Sequence, residues 1–200
     1  MTLSPDVFQE KHQDPVISCM LVGYGAVGKA SMIIGYISNG YPNEYRQMAF
    51  DVFTGLVRVD GIPVQIQLMD TAGQEEFDHF HSMCYNQIDV LILCFSIVNP
   101  VSFQNTTSKW IPQIRTFNPA SPIILVGTQL ALRHDVNILI HLDQLRDKLV
   151  VNSQARGLVE KIRTHDYVEC SALTQKNLKE AFGLSESKEA QSLGLCKDFL

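Results

Sequence analysis

Residues 23–30, Gly23-Tyr24-Gly25-Ala26-Val27-Gly28-Lys29-Ala30, fit the pattern G-x-x-x-x-G-K followed by alanine. Glycines at this spacing let successive backbone N–H groups turn inward and cradle phosphate oxygens. A lysine at the end of the loop reaches the terminal phosphates, and the N-terminus of a following helix adds positive potential. The plainer alternative is a glycine-rich turn from strand to helix with an exposed lysine. The context favours phosphate, because a buried apolar run precedes the loop and a helical pattern follows it. The residue after the lysine is normally Ser or Thr, whose hydroxyl ligates Mg²⁺. Here it is Ala30, which has no ligand atom. Ser31 follows, but one residue along a helix turns the side chain by about 100°.

Three further clusters carry chemistry. Asp70-Thr71-Ala72-Gly73-Gln74-Glu75 follows a short apolar strand pattern, Thr128-Gln129 ends the run Ile123–Val126, and Cys170-Ser171-Ala172-Leu173 follows Tyr167–Val168. Each has an ordinary alternative. Asp70 suits a turn after a strand, Gln74 suits an exposed loop, and Ser171 suits the cap of a helix starting near Thr174. Their joint occurrence in this order is hard to attribute to chance.

The elements that position these residues are legible from periodicity. Val16–Val22 is an apolar run ending at Gly23, and Asp51–Val59 and Val64–Met69 flank Asp60-Gly61, a strong hairpin signal. Val90–Phe95 and Ile123–Val126 are continuous apolar runs, as expected for strands buried on both faces. Helical patterns occupy Lys29–Ser38, Val101–Phe117 and Ser153–Thr164. This alternation predicts a three-layer α/β domain with a mostly parallel sheet and one antiparallel hairpin.

Composition limits the function classes. The 200 residues suffice for one domain with a sizeable core. A net charge of −5 argues against a general nucleic-acid binder. No apolar run is long enough to span a bilayer, and Met1–Pro15 does not read as a secretory signal. Cys19, Cys84, Cys94, Cys170 and Cys196 are odd in number and lack metal-ligand spacing, which predicts reduced thiols in the cytosol.

Taken together, the phosphate loop, Asp70–Glu75, Thr128-Gln129 and Cys170–Leu173 resemble the Ras-superfamily G domain. Arg133–Val150 resembles the helical insert that marks Rho proteins. Gly40-Tyr41-Pro42, Cys94-Phe95-Ser96, Pro122–Gln129 and Glu169–Glu180 are most similar to the atypical RhoU/RhoV subgroup. The resemblance implies an α/β P-loop NTPase fold: a six-stranded, mostly parallel sheet with one antiparallel edge strand and helices on both faces. It divides the chain into a disordered segment 1–15, a G domain over 16–182 with its insert near 133–150, and a divergent tail 183–200.

The resemblance also implies roles. Gly23, Gly25, Ala26, Val27, Gly28, Lys29, Ala30 and Ser31 would surround the phosphates of GTP or GDP, with Gly28 and Lys29 on the β- and γ-phosphates. Asp70 would hold Mg²⁺ through water, and Gly73 would offer its N–H to the γ-phosphate. Gln74 would orient the attacking water, so Gln74 and Lys29 are the catalytic candidates. Tyr41, Thr128, Gln129, Ser171, Ala172 and Leu173 would line the base and ribose site, with the Ala172 amide reading guanine O6. Phe50, Asp51, Val52 and Phe53 would recruit effectors. The implied partners are effector kinases and the exchange and activating proteins of Rho regulation, acting on a monomer in actin and cell-shape signalling, without nucleic acid.

Four departures from the family pattern qualify this. Ala30 and Met48 replace both hydroxyls that ligate Mg²⁺, and a thioether is a poor ligand for a hard cation. Metal binding is therefore expected to be weak or absent. Ala131 replaces the aspartate that would fork onto the guanine edge, and Asp135 lies four residues too late. Gly183 interrupts the last helix, and Cys196, fifth from the end, does not meet the C-a-a-X rule. The expected location is cytoplasmic, with peripheral contact at plasma or endosomal membrane as the alternative. Two functions remain open: a signalling GTPase, and a pseudo-GTPase that sequesters exchange factors or effectors without a nucleotide cycle.

Overall fold

The computed structural model describes residues 15–38, 50–59, 62–71, 84–85 and 88–182. Its strands are β1 Val16–Gly23, β2 Phe50–Val59, β3 Ile62–Thr71, β4 Val90–Ser96, β5 Ile123–Thr128 and β6 Asp166–Glu169. Its helices are α1 Lys29–Ser38, α2 Pro100–Asn105, α3 Ile111–Phe117, α4 Val136–Gln144, α5 Asn152–Ile162 and α6 Leu178–Ala181. The strands form one sheet in the order β2-β3-β1-β4-β5-β6. Only β2 and β3 pair antiparallel, from Val59↔Ile62 outward. Asp60 and Gly61, the expected turn, lie outside the described residues.

The sheet is parallel from β3 to β6, and among the described residues β5 and β6 each return through helical crossovers, α2–α3 and α4–α5. Such sheets are covered on both faces, and β4 and β5 are buried at every residue. Alternation along β1 serves two cores. Ile17, Cys19 and Leu21 face Met32, Ile33, Leu178 and Phe182, from α1 and the region of α6. Met20 and Val22 face Trp110, Ile114, Ala155 and Leu158, from the helices of the opposite face. The expected six-stranded architecture, with helices on both faces, is thus the observed one.

The pattern over Val101–Phe117 predicts one continuous helix, and the structure differs. Asn99 caps α2, accepting from the Ser102 amide at 3.1 Å, with Pro100 in the first turn. A π-helical turn, Thr106–Trp110, then separates α2 from α3. Pro112 explains it: proline has no N–H to give the carbonyl four residues back, so the chain widens before it.

The insert contains α4, which begins where Asp135 accepts from the amides of Asn137 at 2.9 Å and Ile138 at 3.2 Å. Segments 1–14 and 183–200, expected as a disordered start and a divergent tail, lie outside the described residues. No helix among the described residues is long and apolar enough to cross a membrane.

Candidate functional site

In an open parallel sheet, loops at the carboxyl ends of the strands meet where the strand order reverses, and ligands bind there. Here β1 is flanked by β3 on one side and β4 on the other. The carboxyl ends of β1, β3, β4 and β5 carry Gly23, Asp70, Ser96 and Thr128. The topology therefore brings three of the four sequence clusters to one edge, and Cys170–Leu173 joins them directly after β6.

The phosphate loop is shaped by its glycines. Gly23 has φ +146°, and a Cβ there would overlap the Cys94 carbonyl of β4. Gly28 has φ +91°. Gly25 is different: its φ is not positive, and a Cβ there would meet nothing within 4 Å. No packing among the described residues asks for glycine at 25. Ala26 adopts φ +60°, a left-handed conformation that costs a non-glycine residue energy. The loop is held in this shape from outside. The Thr128 hydroxyl lies 3.0 Å from the Phe95 carbonyl and within hydrogen-bond reach of the Val27 carbonyl. Gln129, itself left-handed at φ +60°, accepts from the Ser96 hydroxyl and donates to the Ala26 carbonyl at 3.4 Å.

Lys29 is almost fully buried, and its ammonium donates to the carbonyls of Gly23 at 3.0 Å and Tyr24 at 3.2 Å. Burial pushes its pKa below the usual lysine value, opposed by the charge of Asp70 and by Cys94. Asp70 is buried at the end of β3, where the neighbouring Thr71 hydroxyl ties to the Leu21 carbonyl at 2.8 Å. A lysine folded over its own loop, beside an open concavity of backbone, fits a polyphosphate group.

The metal half of the site fits poorly. Ala30 sits buried at the start of α1, where a hydroxyl would be needed. Ser31 does not replace it. It lines a cavity on the other side of the loop, together with Val27, Thr128, Ala131, Ala172 and Leu173. Among the described residues no group of three or more His, Cys, Asp or Glu side chains is placed to hold a metal. Met48, Gly73, Gln74 and Tyr41 lie outside the described residues.

That cavity measures about 110 Å³. Whole-ligand pockets run to about 300 Å³ or more, so this cavity is smaller than a nucleotide-sized pocket. Its walls are Gln129, Ala131 and Leu132 on one side and Ser171, Ala172 and Leu173 on the other. Ala172 is held closely. Its carbonyl accepts from the Gln175 side chain at 2.7 Å, and its methyl lies close to Gly35 of α1. The Ser171 hydroxyl accepts from the Thr174 amide at 3.1 Å, but a turn follows and the helix begins only at Leu178. Asp135 is engaged at the start of α4, so it does not reach back to supply the carboxylate that Ala131 lacks.

Of the expected effector segment, Val52 is exposed on the edge strand β2 and Phe53 turns inward against the core. Phe50 pairs with Thr71, and Asp51 with Asp70.

Sequence reasoning overlooked Ser96, Gln175 and Asn177. The Asn177 side chain donates to the Glu169 carbonyl at 2.8 Å. Ser96 acts through a bond to Gln129, far away in the chain, Asn177 reaches back eight residues, and Gln175 bonds the Ala172 carbonyl three residues back. The only available signal was the polar cluster after Ala172.

Comparison with known proteins agrees with this geometry. The sequence model described as Ras family matches residues 18–189. The Rho-related GTP-binding protein RhoV of Rattus norvegicus is 60% identical over 167 residues, covering 83% of this chain and 71% of its own. RhoV of Homo sapiens and of Bos taurus match with the same identity and the same coverage.

Proposed function

The chain belongs to the Ras family and, within it, to the Rho-related GTP-binding proteins, and on that premise we propose that it is a GTP- and GDP-binding switch with weakened metal and guanine contacts. The observation that carries this is the pairing of an intact phosphate cradle with two silent positions, Ala30 and Ala131.

The cradle does most of the binding. Main-chain amides from Gly25 to Lys29 face the phosphates, and the Lys29 ammonium leaves the carbonyls of Gly23 and Tyr24 to meet them. A buried lysine regains a full counter-charge in that exchange, so the gain exceeds that of an exposed ion pair. Asp70, buried at the end of β3, would accept hydrogen bonds from water around a cation. Mg²⁺, when bound, neutralises charge on the phosphate oxygens. Alanine at 30 and methionine at 48 place no hydroxyl at the two positions that would ligate that ion, so phosphate oxygens and water would have to supply its ligands.

The base site keeps its floor and loses one reader. Ser171, Ala172 and Leu173 present backbone and small side chains to a flat group. Opposite them Ala131 offers a methyl, so the purine is selected by shape and by the Ala172 amide. Gln74 is the residue to orient water for hydrolysis, which we expect to be slow. Effector kinases would read Val52 and its neighbours on β2, and exchange and activating proteins of the Rho type would act on the nucleotide. The setting is cytoplasmic signalling to the actin cytoskeleton.

Metal dependence tests the reading. Release of fluorescent GDP, followed with and without EDTA, is expected to accelerate less than about threefold on chelation, because side-chain ligands contribute little to the ion. Acceleration of a hundredfold or more would show an intact metal site and overturn the proposal. A second reading, a binding module that sequesters exchange factors without cycling, is favoured by the burial of Ala30. Single-turnover hydrolysis distinguishes them: a cycling GTPase converts bound GTP to GDP and phosphate, and a non-cycling module leaves it unchanged.

A further inference from the structure

The two walls of the base cavity come from separate parts of the chain. One is the turn Leu130–His134, which carries Ala131 and Leu132, and the other is the loop that follows β6. Their connections are few. The Leu130 amide donates to the Cys170 carbonyl at 3.0 Å. Beyond it, the Arg133 guanidinium meets the Glu169 carboxylate at 2.7 Å, with both side chains largely sheltered from water. The same oxygen, Glu169 Oε1, accepts from the Tyr167 hydroxyl at 2.9 Å and from Asn152 of α5 at 3.3 Å. Arg133 lies two residues past Ala131, and Glu169 lies three residues before Ala172. A carboxylate that accepts two hydrogen bonds is a firm anchor, and the Arg133 guanidinium faces it at ion-pair distance.

This junction matters more here than it would with a carboxylate at 131. A purine gripped by an acidic side chain on one wall and an amide on the other would itself tie the walls together. With a methyl at 131 the ligand contributes no such tie. We propose that Arg133 and Glu169 are positioning residues that set the width of the base cavity, so that their ion pair governs how long a purine nucleotide stays bound. This deepens the nucleotide reading above and rests on it.

The test uses the full chain, fluorescent GDP as the probe, and the variants Arg133→Met, Arg133→Lys and Glu169→Gln. Arg133→Met is expected to speed GDP release about fivefold, as loss of a sheltered ion pair implies. Arg133→Lys restores the charge and should recover most of the lifetime. Glu169→Gln keeps an acceptor for Tyr167 and Asn152 and should fall between the two. Melting of the nucleotide-free proteins is measured alongside. If Arg133→Met binds GDP with an unchanged release rate, the inference is wrong and the nucleotide reading stands. If release quickens only in proportion to lost thermal stability, and Lys and Met behave alike, the pair is merely structural and the inference again fails. If the unaltered protein takes up no GDP, both fall together.

Discussion

Replacing Ala131 with aspartate is the sharpest perturbation of the base site. Ala131 is exposed at the rim of the cavity, so a carboxylate there needs almost no desolvation. Neither nearby charge interferes, since Arg133 is paired with Glu169 and Asp135 is engaged by two amides at the start of α4. A guanine base offers two donors on its edge. Two hydrogen bonds to a charged acceptor, at roughly 1.5 kcal/mol each, give about 3 kcal/mol, or about two decades in affinity. Hypoxanthine lacks the 2-amino donor and should gain about one decade. Xanthine presents an oxygen to the new carboxylate and should gain nothing. Competition of GDP, IDP, XDP and ADP against a fluorescent nucleotide reads all four. An equal gain for every base would mean that the carboxylate acts as a distant charge. No gain for GDP, in a variant that melts like the parent, would refute the placement of the base between residues 131 and 172.

Other outcomes follow from the same geometry. Gly23→Ala should destabilise the fold by about 3 kcal/mol, because a Cβ would overlap the Cys94 carbonyl at a positive φ. Gly25→Ala should leave thermal stability within about 0.5 kcal/mol yet weaken GDP binding; equal melting losses in the two variants would contradict this account of the loop. Ala30→Thr together with Met48→Thr should raise single-turnover hydrolysis more than the two changes separately predict, since both hydroxyls would serve one ion, and strict additivity would refute that. Burial pushes the thiols of Cys19 and Cys94 up to about 12, and that of Cys170 upward as well. Unfolded thiols ionise from about pH 9 while these stay protonated, so folded stability present below pH 9 is lost above it. The limiting slope is about 4 kcal/mol per pH unit for three thiols, reduced by Lys29, whose lowered pKa acts in the opposite sense. Urea midpoints measured from pH 7.5 to 10 should be level at first and then fall, and a midpoint that stays level to pH 10 would contradict the burial of these thiols.

The strands and the phosphate loop were legible because their causes are local. An apolar run of strand length, a glycine needed for a positive φ, and a lysine at the right offset all announce themselves within ten residues. Gln129 shows where locality ends. Its left-handed backbone and its two bonds, from Ser96 and to Ala26, join segments far apart in the chain. Arg133 and Glu169 are similar, since nothing in either neighbourhood signals the other. Pro112 was visible but misjudged: proline within a helical pattern was compatible with continuity, and the chain absorbed it with a wider turn.

Two of the positions that depart from the family pattern lie among the described residues, each near the start of a helical element: Ala30 is buried in the first turn of α1, and Ala131 lines the cavity from the turn after β5. Alanine at either place removes an interaction with a ligand and leaves sheet register, both cores and the loop scaffold of Thr128 and Gln129 in place. Folding free energy would therefore give no warning of a change in metal or base contacts at these two positions. The consequence falls on switching. A ligand shifts a conformational equilibrium only by its difference in affinity for the two states. GTP differs from GDP by one phosphate and by what that phosphate recruits, chiefly the ion and the hydroxyl of the first switch. With methionine at 48 and alanine at 30, the proposed switch would draw that difference from the cradle, Lys29 and the expected Gly73 amide contact. On that reading the chain would keep phosphate binding while losing much of the contrast between its two nucleotide states, and partners that bind one conformation would then supply the contrast.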